Sequence, residues 1–363
     1  MNDVQQASLF GDDPAPPAVA PPVAPPQEAP SPPKRKARAG AGAQVQPAAP
    51  GAQLQALAGT LPSRLHLGTS SWHFPGWQGL VWEGAHAQPT LSRHGLKAYA
   101  QHPLLRSVSL DRGFYRPLTA SQYAQYAAQV PPHFRFVVKA PSLVCDALVR
   151  GEDGRALQPN PAFLDPALAI ESFVRPALEG LGSHVGALVF QISPLPLALL
   201  AEPEALLQRL AALLHALPAL RPVAPDAVVA VEVRDAAWLT PAFAEVLRRA
   251  GATYCLGLHP KLPPIEQQLP VLRALWPGPL VCRWNLNRLH GAYGYEEARG
   301  LYEPFDRLVD PDPATRAVLA RVVAGTTRAG HNAYVCINNK AEGSAPLSVQ
   351  ALAEEVLRLQ QAP

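Results

Sequence analysis

The run AVVAVEVRD, residues 227–235, ends an apolar segment with Glu232 and Arg234 two positions apart. In an extended strand that spacing puts both side chains on one face, with Val231 and Val233 on the other. A carboxylate beside a guanidinium can act as a general acid or base next to an anion clamp. The same pair can instead be an ion pair that closes a fold. Lys139, at the end of RFVVKAP, adds an amine that binds phosphate or, once desolvated, acts as a base or Schiff-base nucleophile. Its structural alternative is pairing with Asp111 or Glu232. Glu232, Lys139 and Asp111 are therefore the candidate catalytic residues. Gln191, Arg234, Arg283, Asn285, Asn338 and Asn339 are polar candidates for binding a ligand. Trp72 and Tyr115, with Trp77 and Trp238, offer flat faces for stacking a base or sugar, or simply for packing.

These residues share a position: each ends a short apolar run. The runs are 64–72, 105–115, 135–141, 186–193, 227–235, 252–258, 279–285 and 332–340. Helical patterns separate most of them. Thr240-Pro241 reads as an N-cap and first helical position, with Gly251 past the last turn, and Asp312-Pro313 opens another helix. Ser348 reads as the cap of the last helix, and further helices are expected over 202–217 and, with prolines interposed, 161–182. Residues 263–277 are the least regular, because Pro270 interrupts the pattern. Eight buried parallel strands alternating with helices predict an α/β fold, a TIM-like (β/α)8 barrel. A doubly wound open sheet is the alternative, and no dinucleotide fingerprint follows the first strand to favour it. In a barrel the ligand site lies at the C-terminal strand ends, where these residues fall together with His259 and Lys340.

A metal centre is not expected. Asp111, Glu232, Asp235 and His259 are the only obvious ligands at that rim, and they stand among Arg and Lys. Neither a GxSxG elbow nor a Walker loop is present, and no cofactor is implied. The four cysteines, Cys145, Cys255, Cys282 and Cys336, lack zinc spacing, and three lie in apolar runs, as in a reducing cytoplasm. A formal net charge of +3 does not by itself argue for nucleic acid or membrane, and no apolar run is long enough to span a bilayer.

The ordered blocks LGTSSWHFPGW, GFYRPLTASQY, PPHFRFVVKAP, LGSHVGALVFQISP, VEVRDAAW and YVCINNKAEGSAP span residues 64 to 358. Together they resemble the domain-of-unknown-function-72 (YecE-like) family. The resemblance implies a TIM-like barrel and carries no activity with it. Asp111, Arg112 and Gly113 stand where the family often has Glu-Asn-Ser/Thr, and Asp235 where it often has His. Arg283 to Asn287 read RWNLN where many members have an Arg-Leu-His-Gly run.

Residues 1–60 read as a disordered Pro/Ala-rich tail, with twelve of the 42 prolines in its first fifty residues, and 61–363 as a single barrel domain. Within the tail, QASLF (6–10) resembles the peptide by which bacterial replication and repair proteins dock on the DNA polymerase sliding clamp. Gln6, Leu9 and Phe10 fit it, and the alternative is an incidental apolar pair. Three functions are compatible with these features. One is an enzyme acting on a phosphorylated or nucleic-acid ligand, linked to DNA maintenance. The second is a non-catalytic nucleic-acid binder, and the third a small-metabolite enzyme of sugar or carboxylate chemistry. A cytoplasmic protein without membrane contact is expected in each case.

Overall fold

Two residues make a short step along a strand, and in this protein that step repeatedly crosses from oil to charge. The computed structural model describes residues 44–151 and 154–361. Its strands are β1 (Leu65–Thr69), β2 (Ser107–Leu110), β3 (Arg135–Lys139), β4 (Leu148–Arg150), β5 (Ala156–Pro159) and β6 (Val185–Gln191). They continue with β7 (Val228–Glu232), β8 (Thr253–Leu258), β9 (Leu280–Trp284) and β10 (Ala333–Ile337). Eight of them, all but β4 and β5, close into a barrel in the order β1-β10-β9-β8-β7-β6-β3-β2, with every pairing parallel. The α/β TIM-like barrel is thus the fold.

Val137, Ala187, Val189, Ala230, Cys255, Val281, Tyr334 and Cys336 pack together as a core cluster of their own. They come from six strands, alternate along them, and fill the barrel interior. Two residues further along the same inward lines stand Lys139, Gln191, Glu232, Gly257, Arg283 and Asn338. The outward lines pack against the surrounding helices in the larger core.

The helices that matter for the site are α1 (Ala52–Thr60), α2 (Ala120–Ala127), α3 (Arg175–Leu181), α4 (Pro203–Ala216), α5 (Pro241–Arg249), α6 (Ile265–Ala274), α7 (Tyr295–Tyr302), α8 (Pro313–Arg328) and α9 (Ala345–Gln361). Helix α5 begins as its sequence implies: Thr240 Oγ1 accepts from the Phe243 amide, and Gly251 takes a positive φ beyond the last turn. Asp312 caps α8 by accepting from the Thr315 amide. Helix α6 forms straight through Pro270, burying Ile265, Gln268 and Val271.

One expectation is corrected and two details are added. Helix α9 starts at Ala345, so Ser348 lies inside its first turn instead of capping it. The cap is supplied by Asn339, whose Oδ1 accepts from the Ala345 amide at 2.8 Å. The 161–182 stretch is helical without a gap from Pro166 to Leu181, passing through a wide turn at Ile170–Val174 before α3. Pro176 has no N–H to give the preceding turn, which accounts for the wide turn there. Finally, β4 and β5 form an antiparallel pair outside the barrel, announced only by the Gly-Glu-Asp-Gly run between them.

Part of the stretch read as tail is built into the domain. Val45 is buried, the Ala48 amide donates to Val81 O, and α1 packs Leu57 and Ala58 toward α9. The QASLF peptide, with Gln6, Leu9 and Phe10, lies outside the described residues. No helix among the described residues is long and apolar enough to cross a membrane.

Candidate functional site at the barrel mouth

Arg283 is the hub. Its position on β9 is opposite Gly257 of β8 and Cys336 of β10 in the parallel register, so its side chain rises through the barrel interior. One Nη nitrogen donates to Glu232 Oε2 at 2.7 Å and to Gln191 Oε1 at 3.2 Å, and the other to Asp111 Oδ2. Glu232 is fully buried, and its second oxygen lies 2.8 Å from Arg234 Nη2. The same Arg234 nitrogen donates to Gln191 Oε1 at 2.9 Å, and Asn285 Nδ2 reaches Glu232 Oε1 at 3.5 Å. The remaining Asp111 oxygen accepts from Ser109 Oγ at 2.6 Å. Gly257 stands in register with Arg283; a Cβ there would meet Glu232 at an ordinary contact distance of 3.7 Å and press only on Leu262 Cδ1, at 3.0 Å.

These charges set the protonation states. Burial pushes the Glu232 carboxyl up, but Arg234 and Arg283 outweigh it and hold the group at about 2. Burial also works against the Arg283 charge, and Asp111 and Glu232 override it, raising its pKa. Lys139 comes out the other way. Burial pulls its amine down, Asp111 draws it up, Arg283 and Arg234 push it down again, and it settles at about 7. Its Nζ sits 3.5 Å from the centre of the Phe114 ring. His259 is driven by burial and by Arg234 to about 3, so it is a neutral imidazole whose Nδ1 accepts from the Lys261 amide.

Beside this cluster opens a pocket of about 360 Å³, lined in part by Trp72, Ser109, Asp111, Tyr295, Asn338 and Lys340. Asp111 belongs to both, so the ion-pair cluster adjoins the pocket through that carboxylate and Ser109, while the other cluster residues stand behind its lining. Trp72 has its edge against Tyr126, and its buried Nε1 has no hydrogen-bond partner among the described residues. Arg234 Nη1 and Arg283 Nε are likewise buried without an acceptor. Among the described residues no three His, Cys, Asp or Glu side chains gather as a metal site, and all four cysteines are buried and free.

Of the sequence candidates, Asp111, Lys139, Gln191, Glu232, Arg234, Arg283 and Asn285 meet in the cluster, while Trp72 and Asn338 line the pocket. Asn339 faces away: its Oδ1 accepts from Trp77 Nε1 and from the amide that opens α9. Tyr115 is 49% exposed, edge-on to Phe114. Trp77 and Trp238 are core residues. Lys340 lies just beyond β10, the last barrel strand, and carries no distinguishing motif. Tyr295 opens α7 instead of ending a strand, and no signal in the sequence points to it, although its hydroxyl accepts from Asn338 Nδ2 at 3.5 Å.

The pocket and cluster sit on a chain whose residues 66–363 match the family model described as "Protein of unknown function DUF72". No curated protein matches the chain. Among solved structures it is similar to a DUF72 family protein from Enterococcus faecalis, with 17% identity and a TM-score of 0.51, over 80% of this chain and 95% of that one. It is also similar to a DUF72 family protein from Thermotoga maritima, with 23% identity and a TM-score of 0.51, over 82% of this chain and 99% of that one. At these identities the likeness concerns the fold. The family match covers most of the chain, and the protein belongs to the DUF72 family.

Proposed function

We propose that the mouth binds a phosphate-bearing ligand, such as a nucleotide or a nucleic-acid strand, and acts on it by proton transfer. The observation that carries this reading is Arg234 Nη1, a guanidinium donor buried at the strand ends with no acceptor among the described residues. A buried donor without a partner costs roughly 1–3 kcal/mol, more if charged, and a ligand oxygen would remove that cost. The charge balance points the same way. Arg234, Arg283 and a protonated Lys139 outnumber Glu232 and Asp111, so an added anion is attracted.

Within this reading Lys139 is the proton-transferring group, because an amine titrating at about 7 exchanges a proton near neutrality. Asp111, shared between cluster and pocket, steadies that amine. Glu232, held at about 2, stays ionised and serves as a positioning residue for both arginines. Trp72 offers its ring and its unpaired Nε1 to the rest of the ligand. The QASLF peptide would bring such a barrel to the sliding clamp, a reading that rests on the sequence pattern alone.

The test is fluorescence anisotropy with a labelled oligonucleotide, with and without a 5′ phosphate, at low and moderate salt. The phosphorylated strand should bind more tightly and lose affinity with salt. Arg234→Ala should weaken it by about tenfold or more, the worth of one charge-assisted hydrogen bond. Equal, salt-independent affinity for the two strands would count against the anion site and favour sugar or carboxylate chemistry.

A further inference from the structure

Lys340 lies in the pocket but is not used by the arginine cluster. Its residue is 4% exposed, and the amine stands 4.0 Å from the centre of the Tyr295 ring and 5.4 Å from that of Phe305. The carboxylates that could neutralise it, Glu296 and Glu303, pair with Arg299 at 3.7 and 2.9 Å. Among the described residues Lys340 Nζ therefore has two aromatic faces and no hydrogen bond or ion pair. A structural lysine buried this deeply would be expected to have a carboxylate partner.

We infer that Lys340 is an imine-forming amine, and that the pocket takes ligands bearing an aldehyde or ketone. The amine nitrogen adds to the carbonyl carbon, and the carbinolamine then loses water. The departing oxygen carries away both amine hydrogens, leaving a C=N bond, with no oxidant or reductant needed. Desolvation in an apolar pocket is the standard way to keep a lysine amine uncharged and nucleophilic. Here burial lowers the amine first, Arg299 lowers it further, Glu296 and Glu303 pull upward, and the balance is about 7. Near pH 7.5 an ordinary lysine is neutral in only about one molecule in a thousand, whereas Lys340 is mostly neutral. Lower basicity reduces intrinsic nucleophilicity, so a net preference of about tenfold or more over surface lysines is expected. A pocket of about 360 Å³ has room for a small ring or sugar carrying the carbonyl. The inference concerns the pocket half of the mouth and does not depend on the anion site.

The experiment incubates the full chain with pyridoxal 5′-phosphate or with pyridoxal, reduces with borohydride and maps the adducts by mass spectrometry. The chain has six lysines, Lys34, Lys36, Lys97, Lys139, Lys261 and Lys340, so the map is unambiguous. Labelling should concentrate on Lys340, about tenfold above Lys97, and the dominant adduct should vanish in Lys340→Met. Equal labelling by both reagents keeps the imine and removes support for phosphate recognition at the mouth. A wild-type map in which Lys340 is unlabelled, or no more labelled than Lys97, overturns the inference, whatever the stability of the variant.

Discussion

Replacing Glu232 by Gln removes one charge and almost no volume from the centre of the mouth. In the folded protein the carboxyl is held at about 2 against an ordinary 4.5, a difference of about 3 kcal/mol. The sign follows from the direction of the shift. A depressed carboxyl contributes its stability above its unfolded pKa and loses it as pH falls from about 4.5 through about 2. At neutral pH the variant lacks this contribution and leaves Arg234 and Arg283 facing a neutral amide. The expected loss is therefore about 3–5 kcal/mol, the range for removing one partner of a buried ion pair. Urea unfolding followed by tryptophan fluorescence measures it. The midpoint gap between wild type and Glu232→Gln should be large near pH 7 and narrow steadily toward about pH 3. Equal midpoints near neutrality, or a gap that does not change with pH, would refute the electrostatic assignment.

Other outcomes follow from the same geometry. Asn339→Ala strips the acceptor from the Trp77 indole and from the Ala345 amide, and should cost about 1–3 kcal/mol in thermal or urea unfolding. Gly68→Ala should destabilise by about 1–3 kcal/mol or more, since its Cβ would fall 2.0 Å from Ser107 O on the neighbouring strand, where only backbone can give way. Leu9→Ala/Phe10→Ala should lower capture of the full chain by purified sliding clamp, and equal capture would end the docking reading.

The barrel and its polar rim were legible because they depend on local pattern. Val137 to Lys139, Val189 to Gln191 and Val281 to Arg283 each change character over one strand period, and that change can be counted in the sequence. The pairing of Glu232 and Arg234 is equally local. That Arg283 meets Asp111 and Glu232 at once is not, because it requires closure of the barrel and the register of separate strands. Asn338 and Asn339 show how fine the limit is. Adjacent residues of one type leave a strand on opposite sides, so one lines the pocket while the other caps α9. Helix α1 was hidden for a different reason: its partner, α9, lies at the far end of the chain, and its own composition continues that of the Pro/Ala-rich stretch. Lys340 shows the same limit, since its isolation depends on Arg299 having taken both nearby carboxylates.

The most direct test of the mouth as an anion site is calorimetry near pH 8 with a 5′-phosphorylated oligonucleotide, in two buffers of different ionisation enthalpy. At that pH the phosphate is already dianionic, so proton exchange reports on the protein. Lys139, at about 7 in the free protein, is mostly neutral there, and a bound anion must raise it. Uptake of between roughly half a proton and one proton per ligand is expected, and its loss in Lys139→Met. Binding with no proton uptake, or no binding at all, would contradict the site.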